Sequence, residues 1–468
     1  MVALSEMLRA ERFDAQFFRK AYLVEDQALN RHELEHLGSH AKVTDGPHGY
    51  HEVDESSAIA MLTARSAAKW FATRDGADCI SIKTHQSNLR SALAERDVIL
   101  GTRGTVGRCA LVLSDVLPAN IDQDVARITI DGGAPFSPEY IVAYLNGRFG
   151  QDHIERHSTG MVQQGINLTK VRAIPIPILS SELQAKVGEI VREARARQMR
   201  SQENFAKAEA LLLDALGLRR WSPPEPLTYT RSAAAVAEAG RLDAQYFMPA
   251  KLEMLHALGD LPGGLLGESF ASIRDMVDPN KGNPETVVRN YDLTDALQPV
   301  LDATSEPKTY AVIDSQKKRL RKGDLAVSRL RAYLKEIAVV QATDDIPAIG
   351  SSEFYVLRRN APSVAVSAEA LMVYLKSAPV QTILKWCQDG SQHPRFAERD
   401  LMAIPLPDVV AEKNDELTAK VRTAFASRAR SFALLEAAKR GVEIAIEEGE
   451  AAALAFIAEM EGAHAATD

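Results

Sequence analysis

RFDAQFF at residues 12–18 and RLDAQYF at residues 241–247 are one phrase written twice, about half a chain apart. A second phrase follows each copy at nearly the same distance, AIPIP at residues 173–177 and AIPLP at 403–407. Ile174 lies 160 residues after Asp14, and Ile404 lies 161 after Asp243. Behind each proline pair comes a charged stretch with heptad-like apolar spacing. The chain therefore reads as one unit, a globular module followed by a long helix, repeated once. Two similar surfaces carried by one chain suit a ligand that itself has two separated parts.

A chain of 468 residues can bury several sizeable cores. Cys79, Cys109 and Cys387 are far apart and form no CxxC pair, which argues against a disulfide framework or a zinc site. A cytoplasmic location is the expectation, since no apolar run approaches signal-peptide or membrane-spanning length. Net charge is −8, which argues against nucleic acid at first sight. Residues 408–468, however, carry 7 basic and 12 acidic side chains, so more than half of the excess acid sits in the last helix. Both modules are close to neutral and can each hold a local basic face.

The first module is expected to open with a helix from about residue 4 to 30. Strand-like runs follow: CISIK (79–83), DVILGT (97–102), CALVL (109–113) and ARITI (126–130). A helix over 138–149, a glycine-containing loop at 158–167 and the IPIP strand close it. The second module repeats this order, with TYAVI (309–313), DLAVS (324–328), EIAVV (336–340), EFYVL (353–357), a helix over 368–377 and a loop at 389–396. Ser181 and Gln184 fit a capping box at the start of the first long helix. The last helix shows heptad spacing at Leu417, Val421, Ala424, Leu435, Ala438, Val442 and Ala445, interrupted by Arg428 and Ser431. The expected fold class is α+β: two repeated strand-rich modules, each followed by a long helix, the two helices forming an antiparallel coiled-coil spacer. The boundaries fall at 1–178, spacer helix 179–220, linker 221–240, second module 241–407, spacer helix 408–460 and a disordered tail 461–468.

The duplicated order resembles the specificity subunit of type I restriction–modification systems over almost the whole chain. TDGPH (44–48), RDVILGTRGTVGRCALV (96–112) and QQGINLTKVRAIPIP (163–177) carry the likeness in the first half. KGDLAVSRLRAYLKEIAVV (322–340) and FAERDLMAIPLP (396–407) carry it in the second. The resemblance implies two target-recognition domains, each reading half of a bipartite double-stranded DNA sequence. It further implies that modification methyltransferase subunits, two of them, dock on the helical spacer, and that a restriction or translocase subunit can join. A type I complex and a related defence system built from the same module both fit. The two halves depart from each other where SRLRAYLKE stands in place of GTRGTVGR.

Catalytic motifs are missing from the sequence. The aromatic-bearing proline loop of a base-flipping methyltransferase does not occur, because the only Pro-Pro pair is in SPPE at residues 222–225. GTRGTVG at 101–107 has neither dinucleotide-fingerprint nor P-loop spacing. Asp302, Glu306 and Lys308 have the letters of a nuclease centre in a turn-rich stretch, where chance explains them better. The expectation is a non-catalytic recognition subunit with no cofactor of its own, S-adenosylmethionine belonging to the partner methyltransferase. A scaffold that only joins protein partners through its helices is the rival reading.

Binding chemistry remains. Phosphates call for Lys and Arg, and base edges call for bidentate Arg, Asn and Gln. In the first module the expected DNA-binding residues are Lys83, His85, Gln86, Asn88 and Arg90 in one polar loop, Arg103 and Arg108 beside the GTVG turn, and Gln163 and Gln164 on the glycine loop. In the second they are Lys317, Lys318, Arg319, Arg321 and Lys322, then Arg329 and Arg331, and Gln392, His393 and Arg395. Charge runs usually end as solvated turns; the related placement of the two clusters favours DNA. For the DAQ phrases, capping or bridging of helices by Asp14 and Asp243 and core anchoring by the aromatic residues outweigh a DNA role.

Overall fold

The computed structural model describes residue 7 and residues 13–15, 17–49, 51–160, 164–342 and 345–465, with side chains as far as residue 461. The chain divides into two compact units, residues 1–198 with 429–468 and residues 199–428. These boundaries differ from a module-plus-own-helix partition. The two long helices, Ser181–Ala215 and Asn414–Glu448, each give one half to each unit.

The reason is the apolar stripe that each helix must cover. In the first unit, Ser431 Oγ donates to the Ala194 carbonyl at 2.7 Å and the Ser180 amide donates to Glu450 at 2.9 Å, so the paired segments run antiparallel. Val187, Ile190, Val191, Ala194, Ala438, Val442 and Ala445 share one core there. In the second unit, the Phe205 and Phe425 rings lie 5.9 Å apart, and Ala208, Leu212, Leu417 and Val421 join the core of that module. Each fully buried Leu or Val of such a seam contributes about 1.5–3 kcal/mol. The two residues that interrupted the heptads have separate uses. Ser431 spends its hydroxyl on Ala194, and Arg428 turns to Gln298 (3.1 Å) and Asp302 (3.9 Å).

The larger sheets of the two modules correspond strand for strand. The first unit has a five-stranded sheet in the order Ala41–Asp45, Val125–Ile130, Val98–Gly101, Cys109–Leu111, Trp70–Phe71. The second has Phe270–Ile273, Phe354–Arg359, Leu325–Ser328, Ile337–Val340, Val300–Leu301 in that order. In both, the last pair is parallel and the others antiparallel. Strand period explains why the central strands are wholly apolar. Val98 and Leu100 enter one core and Ile99 another, as do Leu325 and Val327 against Ala326.

Each central strand follows a buried aspartate. Asp97 accepts from Arg127, Thr129 and the Ala94 amide, all at 2.7 Å. Asp324 accepts from Arg358 at 2.6 and 2.7 Å and from the Arg321 amide at 2.7 Å. A buried carboxylate is tolerable only when satisfied in this way.

The proline strands Pro175–Pro177 and Pro405–Pro407 pair antiparallel with Leu34–His36 and Gly263–Leu265. Proline gives no N–H, which confines it to such ribbon edges. Tyr144 donates to the Pro175 carbonyl at 2.7 Å, and Tyr374, 230 positions later, donates to that of Pro405. The Ser137 amide donates to Gln184 at 2.9 Å, and the Ser367 amide to Asn414 at 2.8 Å, again 230 positions on. Each module is thereby locked to the start of the helix that follows it.

Several expectations change. The helix Lys20–Leu29 follows the first DAQ phrase; of the residues expected to be helical before that phrase, Met7 is described and is helical, and 4–6 and 8–12 lie outside the described residues. Asp14 accepts from the Phe17 amide at 2.9 Å, and Asp243 caps a 3-10 turn by accepting from Tyr246 at 3.1 Å. Both aspartates close turns, and Phe17 and Phe247 are buried anchors. The long helix over 138–149 is two, Pro138–Asn146 and Arg148–His157, hinged at Gly147. TYAVI is mostly a 3-10 turn, Tyr310–Val312. Ser180, not Ser181, meets the first turn, and Gln184 spends its amide on the Pro135 and Leu179 carbonyls. The last helix breaks at Gly449, which has φ +99°, and a further helix, Glu450–Ala465, occupies the start of the expected disordered tail. Residues Ala233–Ala239 of the linker are helical.

Candidate nucleic-acid interface

In the first unit, a row of turns meets along one rim. The strand Val98–Gly101 leads into GTRGTVG, where Gly104 (φ +72°) and Gly107 (φ +83°) supply left-handed backbone. Arg103 forms a β-bridge with Gly165, and the Ile166 amide donates to the Thr102 carbonyl at 3.0 Å. The turn and the later glycine loop are therefore one platform. Arg103, half exposed, faces Asp124 at 3.6 Å. Next to Asp124, Gln123 hydrogen-bonds His48 at 2.8 Å. Asp45 accepts from Arg90 at 2.6 Å and lies 3.8 Å from His48. Gly46 holds the DG turn close, since a Cβ there would sit 1.9 Å from the Ile121 carbonyl.

The expected residues divide into two groups here. Lys83, Gln86, Arg108 and Gln164 are exposed, and their side chains have no partner among the described residues. Gln163 lies outside the described residues. KTHQSNLR is not a polar loop: residues Ile82–Ser87 form a helix capped by Ser81, followed by a 3-10 turn. That helix points His85 inward to Asn120 at 2.6 Å, and Asn120 in turn donates to the Asn88 carbonyl at 3.0 Å. Asn88 donates to Thr84. His85 and Asn88 are structural side chains. Helical spacing explains it, because every third or fourth residue must face the sheet.

The second unit builds the same platform from different chemistry. Leu330 bridges Arg395, and the Phe396 amide donates to the Arg329 carbonyl at 3.2 Å. Leu330 thus stands where Arg103 stands, and Arg395 where Gly165 does. Glu353, the counterpart of Asp124, is clamped by Arg329 at 2.8 and 3.2 Å and by Arg395 at 3.0 and 3.2 Å. Hydrogen bonding by Arg329 leads the causes that hold this carboxyl down at about 2. Arg331 reaches His393 at 3.1 Å and the Gln392 carbonyl at 3.5 Å. Glu353 was absent from the expected residues, although it opens the run EFYVL. Asp45 and His48 were visible in TDGPH only as a turn.

Where the first module has Gly104 and Gly107, the second has Arg331 (φ +48°) and Lys335 (φ +52°) around the 3-10 turn Ala332–Leu334. A non-glycine residue in this region costs about 1 kcal/mol or more.

KKRLRK is a strand, not an exposed basic loop. Lys317–Leu320 pairs with Ala348–Ser351, a pairing that the first unit's smaller sheet reduces to the single bridge Ala92–Asn120. Both faces of this strand are covered, so two consecutive cations are buried. Lys317 pairs with Asp292 at 3.0 Å, and Lys318 donates to the Phe354 carbonyl at 2.5 Å. Burial pushes the Lys318 amine down from its ordinary range. Neither can meet a phosphate. Arg319 is exposed and 3.5 Å from Asp275. Arg321 and Lys322 are exposed but lie before the strand Leu325–Ser328, while Arg329 and Arg331 follow it. Four residues of strand put roughly 13 Å between the two groups. Lys322 instead lines a polar recess with Arg359, Glu369 and Arg422.

Among the described residues, no group of three or more His, Cys, Asp or Glu could hold a metal ion, and no helix is long and apolar enough to cross a membrane. No family model and no curated protein matches the chain. Among solved structures, it is similar to the S subunit of a type I restriction–modification system from M. genitalium, with 11% identity and a TM-score of 0.40 over 88% of this chain and 95% of that one. It is similar to the HsdS subunit from Thermoanaerobacter tengcongensis, with 16% identity and a TM-score of 0.28 over 89% and 97%. A chain from a structure of type I system assembly and conformational transition gives 14% identity and a TM-score of 0.30 over 89% and 98%. With TM-scores below 0.5, these likenesses leave the function to the chain's own residues.

Proposed function

We propose that this chain is the DNA-specificity subunit of a type I restriction–modification complex or a related defence system. It binds a bipartite double-stranded target, one half-site per module, and docks methyltransferase subunits through its paired helices. The carrying observation is one backbone platform presented twice with different side chains: Arg103 against Gly165 in one unit, Leu330 against Arg395 in the other. A repeated scaffold with exchanged chemistry is what two readers of unlike half-sites require. Arg103, Arg108, Gln86 and Gln164 supply phosphate and base-edge donors in the first module, and Arg331, Gln392 and His393 in the second. Methyl transfer and any cleavage belong to partner subunits, and S-adenosylmethionine binds there.

The test is selection from randomised duplex DNA by the full chain, alone and with its methyltransferase partner. Enrichment of two short motifs at a fixed gap is the expected result, with affinity falling steeply with salt. Failure to enrich any bipartite motif in either case would overturn the reading, as would saturable S-adenosylmethionine binding by the isolated chain for the cofactor assignment.

A further inference from the structure

The turn between Ser328 and Ile337 carries more than the exchange of glycine for cations. Tyr333 is 61% exposed and Leu334 37%, so an apolar pair stands at its tip. The turn is held firmly from below. The Ala332 amide donates to Gln388 at 2.9 Å, and the Arg331 amide to the Pro394 carbonyl at 2.8 Å. Cations flank the tip on both sides, Arg331 and Lys335, both in left-handed backbone. Lys376 is a third. Burial, followed by repulsion from Lys335, lowers its amine to about 8. Among the described residues, no carboxylate lies within ion-pair distance of Arg331, Lys335 or Lys376.

We propose that the Tyr333–Leu334 tip is an apolar base reader that contacts thymine methyl groups in the second half-site, with Arg331 and Lys335 on the flanking phosphates. The inference rests on the DNA reading above and deepens it by naming what the second module recognises. A duplex offers acid on both backbones, and the thymine C5-methyl is the apolar group on its major-groove edge. Uncompensated cations around an apolar tip complement that surface. Strain points the same way: glycine would sit at positions 331 and 335 without cost, as Gly104 and Gly107 do in the first module, so retaining Arg and Lys there serves their side chains. The first module's turn carries no apolar tip and reads through Arg103 instead.

The test compares the full chain with the Tyr333→Ala/Leu334→Ala double variant in selection from randomised duplexes. The expected outcome is loss of preference for a T·A pair in one half-motif while the other half stays intact. Replacing that thymine by uracil should weaken wild-type binding roughly 3–10-fold and leave the double variant unchanged. As a second measurement, Lys335→Gly should raise the thermal midpoint by relieving the backbone while weakening DNA retention. A bipartite motif that the double variant reads identically, or that is indifferent to uracil, overturns this inference and leaves the DNA reading standing. Absence of any motif overturns both.

Discussion

GTRGTVG in the first unit and SRLRAYLKE in the second occupy one place in one fold, yet they solve it oppositely. The first uses glycine for its left-handed positions and presents a lone half-exposed arginine. The second uses Arg331 and Lys335 there, and commits Arg329 and Arg395 to Glu353. What differs is where the cations are spent. In the first unit Arg103 makes one loose ion pair with Asp124; in the second, two of four cations are clamped on one carboxylate. A count of basic residues along the sequence cannot tell these cases apart.

The largest expected effect tests the sameness beneath that difference. Asp97→Ala and Asp324→Ala each strand buried partners of a central strand, and should each destabilise the unit concerned by about 3–5 kcal/mol. Hydrogen exchange should show protection lost in the five-stranded sheet of the mutated unit. Equal loss in both units would break the picture of two independent copies.

Arg103→Ala should remove about 1–3 kcal/mol of base discrimination from one half-site only, measured by duplex selection. Arg395→Ala should act differently, lowering the stability of the second unit by about 1–2 kcal/mol because it unclamps Glu353. If Arg395→Ala alters recognition with no change in stability, the spent-cation argument fails.

Opposite pH responses sharpen the comparison further. Glu353 is held at about 2 against an ordinary 4.5, so its contribution is complete above 4.5 and lost as pH falls toward 2. Glu25, in the first unit, is raised to about 8 by burial, a hydrogen bond to Asp152 and the charge of that neighbour, with Arg148 opposing. Its contribution is complete below 4.5 and is lost as pH rises toward 8. A fall in pH from 4.5 toward 2 should therefore loosen the second unit, and a rise from 4.5 toward 8 the first. Glu353→Gln and Glu25→Gln should each flatten one limb of a stability–pH curve; a limb that survives its substitution refutes the assignment.

The smallest effects concern exposed cations. Arg108→Ala should reduce the salt slope of DNA binding by about 1 without altering sequence preference. Arg319→Ala should change stability by less than about 0.5 kcal/mol, since its partner is exposed.

Much of the architecture was legible. Repetition of DAQ and IPxP gave two modules, and heptads gave two long helices, because those signals are local and periodic. DLAVS, EIAVV, EFYVL and ARITI were strands for the same reason. The candidate site was legible only in outline. Arg103, Arg108, Gln86 and Gln164 stand exposed. His85 and Asn88 turned inward once their loop proved helical, and Lys317 and Lys318 were buried by a strand that the other copy reduces to one bridge.

The sequence by itself determined the doubled module, the capping role of Asp14 and Asp243, and the helices that follow each proline pair. These depend on neighbours within a few residues, or on exact repetition. Tertiary structure decided that each helix shares its halves between two units, that Glu353 captures Arg329 and Arg395, and that the Tyr333–Leu334 tip stands free. Those outcomes turn on which residues meet from 24 to 237 positions apart, as Arg329 meets Glu353 and Ala194 meets Ser431. No local propensity records such meetings, because burial and pairing are properties of the assembled surface and not of the segment.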